Sequence, residues 1–152
     1  MTTPEERLAA LGLAIPEVAK PVAVYVPAVV SGQQVFTSGQ LPMRSGELMA
    51  TGTVGAEVTE EEAYACAQQC ALNAIAAIHA EVGDLSQVKR IVKVVVFVAS
   101  APGYTGQPKV ANGASELLGE VFGDAGVHAR SAVGVAALPL GAPVEVEVLA
   151  QL

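Results

Sequence analysis

Residues 59–99, TEEEAYACAQQCALNAIAAIHAEVGDLSQVKRIVKVVVFVA, decide how this chain folds. Thr59 stands three positions before Glu62, the pattern of a capping box, and Gly83 follows the last apolar residue, Val82. That punctuation predicts a helix over 60–82. Its interior is apolar over a wide arc, and its many Ala residues would let it lie close on a sheet. After the break at Gly83-Asp84, residues 88–99 read as a Val-rich strand. The second half of that run is apolar at every position, as in a strand buried on both faces.

The elements on either side follow by the same reading. Residues 108–122 form a second long helix, opened by Pro108 and closed by Gly123. Upstream, residues 22–30 and 33–38 read as strands broken at Ser31-Gly32-Gln33, which suggests a hairpin, and Gly39 ends the second. A loop rich in Gly and Thr then runs to about residue 57. Downstream, residues 129–137 and 143–150 read as a closing pair of strands around Leu138–Ala142. Residues 3–12 form a short helix with Thr3 as cap, Pro4 at its first position, Glu6 completing a capping box and Gly12 as stop. Pro16 and Pro21 punctuate an extended stretch after it. The order β-β-α-β-α-β-β predicts an α+β sandwich: one sheet with both long helices on one face. The 152 residues fit one domain, 1–152, with a short helical extension over 1–15.

Composition says what this sheet meets. The chain is 52% hydrophobic and 15% charged, with no Trp. Such a chain has few polar groups to cover its surface, so another subunit is expected on the uncovered sheet face. The formal net charge is −7, and Lys89, Arg90 and Lys93 are the nearest thing to a basic cluster. That balance argues against nucleic acid as a main partner. Cys66 and Cys70 lie four apart on one helix, where side chains run parallel, and read as small buried hydrophobes. His79 and His128 are far apart, and no Cys/His grouping has metal spacing. The opening MTTPEERLAALG does not resemble a signal peptide, and no apolar run reaches the ~20 residues of a membrane span. A soluble cytoplasmic setting is the expectation.

The chemistry is sought in the closing strands. Alternation puts Arg130, Ala132, Gly134 and Ala136 on one face, opposite Ser131, Val133 and Val135. A guanidinium beside such small side chains has room to bind a carboxylate through two parallel hydrogen bonds. From the strand alone, a surface Arg paired with a neighbouring Glu is the favoured reading. Glu145 and Glu147 share a face of the last strand and repel unless something uses or neutralises them. Either serves as a general acid or base if partly buried, or as a solvated carboxylate at an exposed edge. A hairpin turning at residues 140–141 would pair Arg130 near residue 151. Glu145 would then lie about six residues away, on the order of 20 Å at ~3.3 Å per residue. If both serve one ligand, they come from different chains. In Thr37-Ser38-Gly39-Gln40, Ser38 and the backbone N–H beside Gly39 could donate to a carboxylate, or the segment is a plain strand-end turn.

Two separated runs resemble one known family. Val35-Phe36-Thr37-Ser38-Gly39-Gln40-Leu41-Pro42 is similar to the early segment of the RidA (reactive intermediate deaminase, YjgF-like) proteins. Ala129-Arg130-Ser131-Ala132-Val133, Val135–Pro139 and Val144-Glu145-Val146-Glu147 resemble that family's C-terminal signature, so the resemblance covers about residues 20–150. It implies a chorismate-mutase-like α+β fold (bacillus type), one mixed sheet with two helices on one face, assembled as a barrel-like homotrimer with pockets between subunits. It implies cofactor-free and metal-free hydrolysis of 2-imino or enamino acids to 2-oxo acids and ammonia, so the implied ligand is a 2-imino or 2-oxo acid. Carried over by position, Arg130 grips the substrate carboxylate and Glu145 positions or activates water. Tyr25, Ser38, Gly39, Asn112 and Ala132 line the ligand. Departures stand out: Ala23-Val24-Tyr25 replaces Gly-Pro-Tyr, Ala132 stands where a cysteine is frequent, and Gly134 where an acid is. These small replacements imply a roomier, less polar pocket and a divergent branch. The rival readings are a non-enzymatic sensor of small carboxylates and, further off, an endoribonuclease or translation inhibitor.

Overall fold

A computed structural model describes residues 2–18 and 23–152. The strand expected over 22–30 therefore begins at a position outside the described residues. Where described, it is shorter: β1 is Ala28–Ser31, and it turns through Gly32-Gln33 into β2, Gln34–Thr37. Gly32 has φ +60, the left-handed conformation that a two-residue turn requires. The chain continues through a two-stranded ribbon, β3 (Met43–Arg44) and β4 (Glu47–Leu48), inside what reads as a loop in the sequence. Helix α2 is Glu60–Val82, strand β5 Arg90–Ala99, helix α3 Gln107–Phe122, strand β6 Ala129–Val135 and strand β7 Val144–Gln151. The short helix α1 is Pro4–Ala10.

Caps set these helices as expected. Glu62 N–H donates to Thr59 Oγ1 at 3.1 Å, and Thr59 N–H donates to Glu62 Oε2 at 3.2 Å. Gly83, with φ +76, ends α2 and donates to the His79 carbonyl. Thr3 and Glu6 repeat the reciprocal pair on α1. Helices α2 and α3 pack side by side on one sheet face, and Gly113 lets them approach, because a Cβ there would collide with the Tyr64 carbonyl oxygen. Beneath them lie Ile75, Ile78, Leu117 and Leu118, packed on Val94, Val96, Val98, Val144, Val146 and Val148. Cys66 and Cys70 are buried and free, and burial raises both thiols. No helix among the described residues is long and apolar enough to cross a membrane.

The sheet order is β1-β2-β7-β5-β6. This overturns the closing hairpin. Strand β7 lies antiparallel between β2 and β5, and β6 runs parallel to β5 at the edge. The chain leaves β6 through a turn at Pro139–Gly141, with Leu140 and Gly141 at positive φ, and crosses over β5. Short connection length suggested a hairpin, but inserting β7 between β2 and β5 buries Val144, Val146, Val148 and Ala150 centrally.

The other sheet face is bare within the subunit. Along β5 the side chains alternate, so Val95 and Phe97 are half-buried rather than enclosed on both sides. Val29, Phe36 and Val133 share this face and are 51%, 45% and 44% exposed. Glu145, Glu147 and Lys93 lie among them.

Candidate functional site

The predicted site residues fall into two groups, one on each side of the sheet. Arg130 is register-paired with Val94, whose side chain points under the helices. Its guanidinium accordingly lies against α3. Nη1 donates to Asn112 Oδ1 at 2.8 Å and to Ser115 Oγ at 3.1 Å, and Nη2 lies 3.5 Å from the Pro108 carbonyl. Pro108, Asn112 and Ser115 follow one another at helical spacing, so α3 offers one polar stripe to the edge strand. Among the described residues, no Glu takes the cation here. Asn112, expected to line the ligand, here accepts a hydrogen bond from the arginine.

Two residues of this half escaped the sequence reading. Ser115 lies one turn beyond Asn112. His128, two positions before Arg130, sits with Nε2 2.9 Å from Ser115 Oγ and Nδ1 2.6 Å from the Gly126 carbonyl. The three-residue step from Asn112 was the only signal for Ser115. Nothing local marks His128 except its place beside the arginine.

Ala132 follows Arg130 on the same face and packs half-buried against the core. The expectation of open space at Gly134 fails. A Cβ there would meet Gln107 Nε2 at 2.8 Å and Ser100 Oγ at 3.0 Å. Gln107 fills that place, with its amide nitrogen donating to the Tyr104 carbonyl and the Ser100 hydroxyl. The glycine accommodates a neighbouring side chain, and spacing within β6 could not reveal a residue arriving from α3.

The second group gathers on the open face around Glu145. Between the pairs Phe36↔Leu149 and Gln40↔Val146, β2 spends one residue more than β7. This is the count of a β-bulge. Thr37 holds it: buried, its Oγ1 accepts the Val148 N–H at 2.9 Å in place of a ladder carbonyl. The bulge brings Gly39 against Glu145, so closely that any Cβ at 39 would collide with the carboxylate. Glycine here lets the Glu145 carboxylate keep its place; a larger residue would push that side chain aside. Ser38 Oγ donates to the Val26 carbonyl at 2.5 Å, and Ser38 N–H to the Pro27 carbonyl. Its hydroxyl hydrogen is therefore committed, against the expectation of a free donor, and only its oxygen lone pairs stay available. These bonds draw residues 26–27 to the bulge; Tyr25, just before them, is 61% exposed. Burial first, and the charge of Glu147 second, hold the Glu145 carboxyl above its ordinary value.

Strand alternation separates the two groups. Glu145 pairs with Phe97 on the open face, and Arg130 with Val94 on the helix face. One subunit cannot present both to one small molecule. The hairpin distance expected from sequence gives way to a different reason for the same separation. Among the described residues, no group of three His, Cys, Asp or Glu could hold a metal ion.

A subunit of this α+β architecture has counterparts among known proteins. Over 143 residues the chain is 50% identical to Protein TCP17 of Trypanosoma cruzi, covering 93% of this chain and 89% of that one. A crystal structure of a protein of unknown function from Agrobacterium tumefaciens superposes with TM-score 0.91 at 42% identity, over 99% of this chain and 92% of that one. E. coli TdcF, solved with bound serine, gives TM-score 0.65 at 26% identity, over 89% and 93% of the two chains. Residues 5–152 match the family described as "YjgF/chorismate_mutase-like, putative endoribonuclease". The fold and these matches together show that the chain belongs to the YjgF/chorismate-mutase-like family.

Proposed function

We propose that this protein hydrolyses 2-imino acids to 2-oxo acids and ammonia, in pockets formed between the subunits of a cytoplasmic homotrimer. The observation that carries this reading is the division of the site residues between two sheet faces, each half chemically incomplete. Arg130 supplies a fork for a carboxylate. Glu145, beside Gly39 and Ser38 of another subunit, supplies a base whose raised carboxyl suits proton transfer. The substrate carboxylate binds the guanidinium, and its C=N carbon then faces a water held by Glu145. Attack forms the C–O bond, Glu145 takes the water's proton, and the resulting carbinolamine expels ammonia after proton transfer to nitrogen. No metal or organic cofactor enters these steps, because a protonated imine is already electrophilic.

The test is ammonia release from freshly generated 2-iminobutyrate. Wild-type protein should accelerate it, and Arg130→Ala should remove the acceleration. An unchanged rate in that variant would exclude the arginine's role.

A second reading is a binding protein for a small carboxylate, favoured by the bound serine in the E. coli relative. Stabilisation by 2-oxobutyrate without turnover would support it. The nuclease in the family's description has less support in this chain, whose net charge is −7.

A further inference from the structure

With a neutral His128 ring, the hydrogen bonds around Arg130 run in one direction. Gly126 offers a carbonyl, which only accepts, so His128 Nδ1 carries the proton in their 2.6 Å contact. In the neutral ring Nε2 is then an acceptor, and at 2.9 Å it takes the hydrogen of the Ser115 hydroxyl. Ser115 Oγ, its hydrogen committed, turns a lone pair to Arg130 Nη1 at 3.1 Å. Donation thus runs from Arg130 to Ser115 to His128 to Gly126. The chain's far end is fixed, because Gly126 is buried and packs so closely on α3 that a Cβ would strike the Leu118 carbonyl. With Asn112 taking the other Nη1 hydrogen at 2.8 Å, both donors of that nitrogen are occupied. The Pro108 carbonyl, 3.5 Å from Nη2, holds that side weakly.

We infer that His128, acting through Ser115, is a positioning residue: it locks the guanidinium so that its Nε–Nη2 edge is the fork offered to a carboxylate. A free arginine side chain loses much rotamer freedom on binding, and a pre-set fork avoids that loss. Asn112 alone would fix one hydrogen and leave the plane free to swing. This inference rests on Arg130 as the carboxylate-binding group, but its first consequence is visible without ligand.

The experiment uses the full chain in four forms: wild type, Ser115→Ala, His128→Asn and His128→Gln. Asparagine reproduces the donor to Gly126 but not the acceptor at Nε2. Glutamine can place its amide oxygen where Nε2 sits. Side-chain 15N NMR reads rotation about the Arg130 guanidinium C–N bonds. Wild type should show slow rotation with resolved Nη signals, S115A and H128N fast rotation, and H128Q a return to slow rotation. Titration with 2-oxobutyrate should then show about 5–10-fold weaker binding in S115A and H128N, the equivalent of one lost hydrogen bond, and recovery in H128Q. Slow rotation persisting in S115A and H128N, with both folded by thermal melting, would overturn the inference whatever the ligand does. If rotation changes as expected but Arg130→Ala binds 2-oxobutyrate as well as wild type, the positioning stands and the carboxylate reading of Arg130 falls.

Discussion

At the scale of the residue, two carboxylate-related groups have opposite problems. Arg130 needs donors left over for a ligand, and it has them because its protein bonds concentrate on Nη1. Lysine would keep the charge but lose both the fork and the bonds to Asn112 and Ser115. Arg130→Lys should therefore lower kcat/KM for 2-iminobutyrate by at least ~10-fold, since a charge-assisted hydrogen bond contributes about 1.5–3 kcal/mol. Glu145 has the reverse problem: it is held among apolar neighbours and near Glu147, which raises its carboxyl above the ordinary 4.5. As a base it must be ionised, so the activity is expected to fall on acidification through an apparent pKa above 4.5. The stability sign is opposite. A group with a raised folded-state pKa binds its proton more tightly when folded, so ionising it costs stability as pH rises through that pKa. Glu145→Gln should raise the melting temperature at pH 7 and lose that gain below pH 4.5, while turnover disappears. A melting temperature lowered at pH 7 would count against this. Residue identity singles out Arg130 and Glu145 as candidates. The direction in which Ser38 spends its hydroxyl and the filling of Gly134 by Gln107 were not legible, because both depend on neighbours distant in sequence.

At the scale of the element, local rules predict well where the chain carries its own signals. The capping boxes at Thr3 and Thr59 and the stop at Gly83 are where the sequence puts them. Thr59→Ala removes the Oγ1 that accepts from Glu62 N–H, one bond of the reciprocal pair on an exposed helix start, and should cost about 1 kcal/mol, read as a fall in melting temperature. Gly113→Ala should cost more, about 1–3 kcal/mol, because the added Cβ meets backbone at Tyr64 and no rotamer relieves it. Equal effects of the two would contradict the close helix approach. What the local signals lack is pairing partner. Strands β6 and β7 are adjacent in sequence and separated in space by β5, and no feature of their short connection distinguishes a hairpin from a crossover. Likewise the bulge at residues 37–40 is a relation between β2 and β7, invisible in either alone.

At the scale of the whole molecule, the bare sheet face and the split site have one remedy. Val29, Phe36, Val95, Phe97 and Val133 would be covered by neighbouring subunits, which would also bring a neighbour's Glu145 toward each Arg130. Light scattering should then give about three times the 15.4 kDa chain mass, and Val133→Asp, which the isolated subunit tolerates on its exposed face, should shift it toward one. The shared pocket itself is tested most directly by mixing two inactive proteins, Arg130→Ala and Glu145→Gln, under conditions of subunit exchange verified by native mass spectrometry. If each pocket takes its arginine from one chain and its carboxylate from another, random assembly leaves about one quarter of pockets complete, and imine hydrolysis should return to about that fraction of wild type. Mixed trimers as inactive as their parents would contradict a site shared between subunits.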